Sequence, residues 1–163
     1  MSSIKQAGIV VGLTMVLCGV AYPLALTVAG QALFPSQAEG SLIERDGEQI
    51  GSKWIAQPFV SEGYFHGRPT AVDQLTGQSG GDNMAESNPD RPDHNSELPG
   101  AIETSGSGLD PHISIEHAMS QVTRISETRS LDESAVEAII RETAEGESYV
   151  NVLMMNLALD ELG

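Results

Sequence analysis

The sequence predicts an α+β protein, with one N-terminal transmembrane helix followed by a small external domain of mixed α/β structure. Three observations predict this fold class. A long apolar segment opens the chain, a turn-rich region with strand-like alternation follows, and segments with helical spacing of apolar residues close it. The predicted limits are residues 1–6 for a cytoplasmic N-terminus, 7–33 for the transmembrane helix and 34–163 for the external domain.

The membrane helix is predicted from the absence of charge between Lys5 and Glu39. About 20 apolar residues cross a bilayer core of roughly 30 Å, and this segment is longer than that. Lys5 precedes it and an acidic region follows, so the positive-inside rule places the N-terminus in the cytoplasm and the domain outside. Pro23 lies inside the span, where we expect it to kink the helix or mark where the helix leaves the membrane core.

Two alternatives to a permanent anchor are open at this point. Thr27-Val28-Ala29 is similar to a signal-peptide cleavage site, although the apolar core of a signal peptide is normally shorter, about 7–15 residues. Cys18 could accept a lipid, but Leu17 before it is bulky, and a small apolar residue in a membrane helix is the simpler interpretation.

Beyond the span, Ser41–Arg45 and Ile50–Ala56 alternate like strands on either side of Asp46-Gly47, a dipeptide typical of hairpin turns. The next long segment, Asp73–Gly108, is rich in Gly, Ser, Asn, Asp and Pro. Its composition alone predicts a disordered linker or a long loop.

Three helices are predicted after this segment. The first begins at Ser114 as N-cap, and its apolar face contains Ile115, Ala118, Met119, Val122 and Ile125. Asp132 caps the second, in which Leu131 packs on Val136 as a hydrophobic staple, Val136, Ile139 and Ile140 share a face, and Gly146 is the stop. The third lies in the apolar segment Tyr149–Asp160, where Asn151 is its cap and Val152, Met155, Leu159 and Leu162 share one face, although the first half of this segment also fits a strand.

Composition excludes several classes of function. The 163 residues carry a net charge of −15, which leaves no electrostatic surface for nucleic acid. A single cysteine excludes a disulfide framework and a cysteine zinc cluster. Seven cations and all 23 acids lie beyond residue 38, so the external part carries −16. Such a surface resembles those of salt-adapted proteins, and we hypothesise adaptation to high ionic strength.

Evidence for chemistry is weak. Ser107, Asp110 and His112 are the three residue types of a hydrolase triad, but closeness in sequence does not show convergence in space, and a turn into a helix explains them too. Among the histidines, His112 and His117 straddle a helix start without metal-site spacing, so solvent-facing or capping histidines are expected. The glycines of Gln78–Asp82 lack the Lys-Ser/Thr of a phosphate-binding loop.

Several motifs in order resemble one family. They are Gly51–Phe59, Tyr64-Phe65, Gly67–Ala71, Ser79–Asn83, Ser87–Pro89, Ser105–Ser114 and Val150–Asp160. Together they closely resemble the KdpC family, the C subunit of the potassium-transporting Kdp ATPase. The resemblance covers nearly the whole chain, and the Ser105–Ser114 block is highly specific.

The resemblance implies a non-catalytic accessory subunit with one membrane helix and an external domain. It also implies three partners: a channel-like potassium-binding subunit, a P-type ATPase subunit and a small single-span subunit. Potassium is then the ion that the complex transports. The family is described as a catalytic chaperone that raises the ATP affinity of the ATPase subunit, and Ser79-Gly80-Gly81 has been likened to a nucleotide-sensing signature. The predicted topology instead places Ser79 outside, away from cytosolic ATP.

The resemblance assigns structural or interface roles, and no catalytic or metal-binding role, to a set of motif residues. They are Arg68, Ser79, Gly80, Gly81, Asn83, Asn88, Ser105, Gly106, Ser107, Gly108, Asp110, Pro111, His112, Ser114, Asn151 and Asn156. It also predicts that Asp73–Gly108 is ordered, with Gly80, Gly81, Gly106 and Gly108 at backbone angles that other residues resist. Arg68 is expected to pair with an acid such as Asp110.

One departure concerns Asp90–Thr104, because the family usually has a longer segment with a helix there. We expect that helix to be missing. Two other functions stay open on the sequence alone: a membrane-tethered or secreted hydrolase using Ser107, His112 and Asp110, and a pilin-like structural surface protein.

Overall fold

A computed structural model describes residues 3–85, 87–89, 103–144 and 146–163. The chain divides into two compact units, Met1–Ile50 and Gly51–Gly163. A long apolar helix and a small mixed α/β domain are present in that order, as the sequence predicts. Most of Asp90–Thr104, the segment expected to lack a helix, lies outside the described residues.

The first unit contains an uninterrupted helical segment, Ser3–Leu33. It consists of α1 (Ser3–Val16), a π-helical turn (Leu17–Ala21) and α2 (Tyr22–Leu33). Its 31 residues have a mean hydropathy of 2.2 in the most apolar part, and nearly every side chain is exposed. At about 1.5 Å per residue the segment exceeds the roughly 30 Å of a bilayer core. Length and composition therefore make it a membrane helix.

The π-helical turn lies immediately before Pro23. Within it the N–H of Tyr22 donates to the carbonyl of Leu17, five residues back. A proline has no N–H, and in a regular helix its ring clashes with the carbonyl four residues back, here that of Gly19. One wider turn relieves such a clash. The expected irregularity at Pro23 is thus a π-turn in the preceding residues.

A short helix, α3 (Pro35–Ala38), precedes the predicted hairpin. Strands β1 (Leu42–Arg45) and β2 (Glu48–Ser52) pair through a two-residue turn in which Asp46 and Gly47 have φ of 54° and 84°. Positive φ at both positions fits the twist of a hairpin. The predicted second strand, Ile50–Ala56, was wrong in its limits. Its last residues bond elsewhere, with the Ala56 N–H donating to the Leu109 carbonyl at 2.9 Å.

The second unit is built around a two-stranded antiparallel sheet, of which sequence patterns offered the second strand as an alternative and did not predict the first. Strand β3 (His112–Ser114) pairs with β4 (Tyr149–Asn151), with Ile113 opposite Val150. Strands of three residues are too short to show alternation. Because side chains alternate, Ile113 and Val150 enter the core while the flanking residues of both strands face the other way.

Ser114 caps the first predicted helix, since its hydroxyl accepts from the His117 N–H at 3.1 Å. The prediction of one helix was wrong, because the helix is divided into α4 (Ile115–Ser120) and α5 (Val122–Arg129). The division falls at Gln121, whose backbone has φ −93° and ψ −10°. The predicted apolar face is confirmed, with Ala118, Val122 and Ile125 in the core.

The two remaining helices confirm the predicted apolar faces at every position except Leu162. Helix α6 (Glu133–Ala144) follows Asp132 and buries Val136, Ile139 and Ile140, with Gly146 beyond its end at φ 92°. Helix α7 (Val152–Leu162) is capped by Asn151, whose side chain accepts from the Met154 N–H. Val152, Met155 and Leu159 are buried, whereas Leu162 is 48% exposed, so its assignment to the core face was wrong.

The core of this unit lies between the sheet and helices α4–α7, and Phe65, from a segment without regular structure, is fully buried in it. In the described part of Asp73–Gly108, the regular element is a single 3-10 turn, Gln74–Thr76. The position of the motif loops therefore depends on side chains and glycine contacts.

Candidate functional site

Arg68 organises one end of the motif loops. Its guanidinium donates to the carbonyls of Glu103 and Thr104 and to the Asp110 carboxylate, each at 3.2 Å. The predicted Arg68–Asp110 ion pair is thereby confirmed. A planar group with several donors suits such an arrangement, because it binds a carboxylate and two carbonyls together. Arg68 thus holds the chain before Ser105 against the turn after it.

Asp110 continues this network into strand β3. Its carboxylate accepts from the backbone N–H of His112 at 3.0 Å and contacts Nδ1 of the same residue at 3.1 Å. Its own N–H donates to the Ser105 hydroxyl at 3.4 Å. The next carbonyl, that of Pro111, accepts from the Val152 N–H at 2.9 Å. The Ser105–Ser114 motif therefore fixes the start of β3 and the junction between β4 and α7.

The glycines of two motifs pack backbone against backbone. The Gly80 N–H donates to the Ser107 carbonyl at 2.9 Å, and a Cβ on Gly81 would lie 3.0 Å from the Gly106 carbonyl oxygen. Gly108 has φ 71°, and a Cβ there would meet Val72 and, at 2.9 Å, the Gly80 oxygen. A side chain at these positions would separate the loops.

This finding corrects one expectation and confirms another. Of the four glycines expected at unusual backbone angles, only Gly108 has a positive φ; Gly80 and Gly81 serve close packing instead, and Gly106 has open space at its Cβ. In the described part of Asp73–Gly108, the loops are nevertheless held by specific contacts, as the family resemblance predicted. The Gly108 carbonyl accepts from both Thr70 and Gln74 at 3.1 Å.

The remaining predicted positions of these loops have smaller roles. Ser79 is exposed, and Asn83, at φ 53°, donates from its side chain to the Gly81 carbonyl at 3.1 Å. The Asn88 N–H donates to the Ala85 carbonyl at 3.0 Å. Asn83 and Asn88 thus shape local turns.

Asn151 and Asn156 connect helix α7 to distant segments. Besides capping α7, Asn151 donates from its amide to the Lys53 carbonyl at 2.7 Å. Asn156, 1% exposed, accepts from the Phe65 N–H at 2.8 Å and donates to the Phe65 carbonyl at 3.0 Å. Both asparagines replace backbone pairing for chain segments without regular structure.

Three more side chains hold the segment that contains Phe65, and we call this set of contacts, together with those of Asn156, the clamp. They belong to Gln121, Arg124 and Arg129, none of which was predicted from the sequence. The Gln121 side chain accepts from the His66 N–H at 2.8 Å and donates to the His66 carbonyl at 3.1 Å, at the point where the helix is divided. Arg124 donates to the carbonyls of Glu62 and Tyr64, and Arg129 to the carbonyl of Gly63. Polar residues at helical spacing beside an apolar face were the one available signal.

Ser107, His112 and Asp110 do not form a catalytic triad. His112 and Asp110 are in contact, but the Ser107 hydroxyl accepts from the Leu109 N–H at 3.1 Å and lies 3.4 Å from the Ser105 hydroxyl. Among the described residues no hydrogen bond joins Ser107 to His112. The three side chains stabilise a turn.

The histidines differ from the expectation that all are solvent-facing or capping. His117 is buried, and in the described part of the chain its Nδ1 has no hydrogen-bond partner. Burial, with a smaller contribution from nearby His66, lowers the pKa of His117 from its usual 6.5. His94 lies outside the described residues. Within the described ranges, no group of three metal-ligating side chains comes together.

An open cleft of about 960 Å³ lies on the outer face of the sheet. Three ring side chains meet there. The centre of the His112 ring lies 5.9 Å from that of Trp54 and 5.3 Å from that of Tyr149, and the His112 and Tyr149 rings are arranged edge to face. Trp54 and Tyr149 are 57% and 49% exposed. The strand pairing brings His112 and Tyr149 to one face, and the bond from Asn151 to Lys53 brings Trp54 beside them.

Comparison with known proteins identifies the family. The family described as "KdpC: K+-transporting ATPase, c chain" matches residues 4–161. The chain belongs to the KdpC family. It is 39% identical over 181 residues to "Potassium-transporting ATPase KdpC subunit 2" of Staphylococcus aureus (strain Mu50), covering 97% of each chain. It is 41% identical over 168 residues to the KdpC subunit of Shewanella putrefaciens, covering 89% of this chain and 84% of that one.

Membership of the KdpC family makes the chain a non-catalytic subunit of the Kdp potassium-transporting ATPase complex in the membrane. It sets aside the hydrolase and the pilin-like interpretations. The KdpC subunit of Staphylococcus haemolyticus is likewise 39% identical over 181 residues, covering 97% of each chain. The membrane helix Ser3–Leu33, the Arg68 network and the clamp on Phe65 and His66 are thus features of a KdpC subunit.

Proposed function

We propose that this KdpC subunit holds the complex together from outside the membrane, with its N-terminus in the cytoplasm and its domain on the opposite side. The observation that carries the proposal is the match to the KdpC family over residues 4–161, on a chain with one apolar helix. Lys5 lies in the first turn of this helix, and every acidic residue of the chain follows it. Cations are retained on the cytoplasmic side, which supports this orientation.

The partners that we propose are a channel-like potassium-binding subunit, a P-type ATPase subunit and a small single-span subunit. The membrane helix would pack against helices of these subunits, and the domain would cover the ion entrance of the channel-like one. Potassium is then the ion transported by the complex, and this subunit itself needs no bound cofactor. The chain's own structure supports a rigid cover, because long-range hydrogen bonds tie segments without regular structure to α5, to α7 and to Gln121 at the junction of α4 and α5.

We further propose that any influence on ATP use passes through the ATPase subunit. Phosphate-binding loops offer free backbone N–H groups to the ligand. At Ser79-Gly80-Gly81, the Gly80 N–H already donates to Ser107, and the Gly81 backbone lies against Gly106. These glycines therefore serve loop packing. A crosslink from a photoreactive ATP analogue to residues 79–83, formed in the intact complex, would contradict this proposal.

The orientation can be tested with single cysteines, because Cys18 is the only native one. In a Cys18→Ala background, Ser134→Cys places a thiol on α6, and Ser3→Cys places one at the start of the membrane helix; both positions are exposed. A membrane-impermeant maleimide applied to intact cells should label Ser134→Cys and spare Ser3→Cys. Labelling of Ser3→Cys alone would reverse the orientation. Labelling of both after lysis controls for thiol reactivity.

A further inference from the structure

The cleft on the outer face of the sheet combines exposed aromatic rings with unpaired carboxylates. Trp54, the only tryptophan, is more than half exposed, although the whole chain is only 4% aromatic. Exposed aromatic residues grouped around a concave surface are typical of protein interfaces, where tryptophan, tyrosine and arginine dominate the binding energy. The exposed aromatic residues therefore indicate a docking surface.

The charges that line the cleft indicate the chemistry of the partner. Lys53 and Arg68 are its cations, and Arg68 is already paired with Asp110. Three further acids, Glu103, Glu142 and Glu147, also line it. In the described part of the chain, no ion pair involves any of these three. Acids are thus in excess in the cleft, on a domain that is itself strongly acidic.

Aromatic faces attract cations, and this domain already uses them in that way. The Lys53 ammonium lies 5.4 Å from the centre of the Trp54 ring, and the Arg129 guanidinium lies 4.5 Å from that of Tyr64. Tyr149, whose ring contacts His112 edge to face, presents exposed surface in the same cleft. Rings together with unpaired carboxylates form a surface for a guanidinium or ammonium group.

We propose that this cleft, which we call the Trp54 cleft, docks a basic segment of another subunit of the complex, with an arginine or lysine side chain between Tyr149 and the carboxylates of Glu142 and Glu147. The inference rests on the proposed role in assembly and adds to it the site of contact and the charge of the partner. Complementary charge would also orient the two subunits before contact, since the partner segment meets an acidic domain.

A photocrosslinker tests the contact directly. Benzoyl-phenylalanine is introduced in place of Tyr149 in the full chain, and in place of Leu75 as the control, because Leu75 is 80% exposed and does not line the cleft. After irradiation of the intact complex, we expect an adduct from position 149 to a protein subunit, within a few residues of an arginine or lysine. An adduct to lipid, to a segment without a basic residue, or no adduct beyond the control would overturn the proposal.

Charge substitutions give the second readout. The double variant Glu142→Gln/Glu147→Gln should lower the crosslink yield on the order of tenfold, and Glu127→Gln, an exposed acid outside the cleft, should leave it unchanged. An unchanged yield in the double variant would overturn the charge assignment. Recovery of the complex on purification is measured separately. A complex that assembles without the crosslink contradicts the docking site alone, whereas subunits that never co-purify contradict the assembly role.

Discussion

Asn156 bonds both polar groups of the Phe65 backbone, 91 residues away, at 2.8 and 3.0 Å. The side-chain amide acts as a neighbouring strand would, and Phe65 is thereby fixed in the core although its segment has no regular structure. Gln121 does the same for His66. Two side-chain amides, one at the junction of α4 and α5 and one in α7, therefore determine the path of the chain that leads to Arg68.

Replacing Asn156 with leucine should destabilise the domain, because it leaves the Phe65 N–H and carbonyl buried without partners. Each unsatisfied group costs about 1–3 kcal/mol. The measurement is urea unfolding of the detergent-purified chain, followed by the fluorescence of Trp54. Gln78→Ala, at an exposed amide, is the control. If Asn156→Leu and this control have the same free energy of unfolding, the hydrogen bonds to Phe65 do not stabilise the domain.

Gly108→Ala should lower the free energy of unfolding by about 2–4 kcal/mol, because alanine resists φ 71° and its Cβ would meet Val72 and the Gly80 carbonyl. Gly106→Ala is a matched control in the same motif, with no atom within 4 Å of the added Cβ and no positive φ. Thermal or urea unfolding compares the two variants. Equal stability of both would show that the loop contacts are not tight.

Arg68→Lys should be as harmful as Arg68→Ala, since one ammonium group cannot reach two carbonyls and a carboxylate in the geometry of the guanidinium. Asp110→Asn should cost less, about 1 kcal/mol or below, because the ion pair is partly exposed and an amide oxygen can still accept from His112. Urea unfolding of the three variants ranks their losses of stability. If the Arg68→Lys variant is as stable as the wild type, Arg68 acts only through its charge.

Stability should fall as the solution becomes acidic, in part through His117. Its folded-state pKa lies below the unfolded value of 6.5, so the unfolded chain binds the proton more readily. This contribution is complete above pH 6.5 and is lost as the pH falls below it. His117→Leu should flatten the pH dependence of the free energy of unfolding in that window. Equal slopes for wild type and His117→Leu would contradict this assignment.

The acidic surface should make the domain depend on salt. With −16 beyond residue 38, self-repulsion opposes the folded state, and salt screens it. We expect the free energy of unfolding to rise from low to molar KCl. Insensitivity to KCl would contradict the hypothesis of adaptation to high salt.

Local patterns predicted the parts of this protein that local forces build. The charge-free span, the Asp46-Gly47 turn and the apolar faces of α6 and α7 all have short-range signals. The pairing of β3 with β4 has no such signal, because three-residue strands show no period and the paired residues are between 35 and 39 positions apart along the chain. Likewise, a polar residue beside an apolar helix face does not indicate which backbone groups it bonds, so the contact between Gln121 and His66 could not be predicted. The motif loops were placed by family resemblance, and their contacts became clear only in the structure.

The central claim is that this KdpC subunit holds the complex together without performing its chemistry. The most direct measurement is the recovery of the other Kdp subunits from membranes in mild detergent, with and without this chain. We expect the channel-like and ATPase subunits to co-purify when it is present and to separate when it is absent. Recovery of an intact complex without the chain, with unchanged potassium-dependent ATP hydrolysis, would contradict the claim.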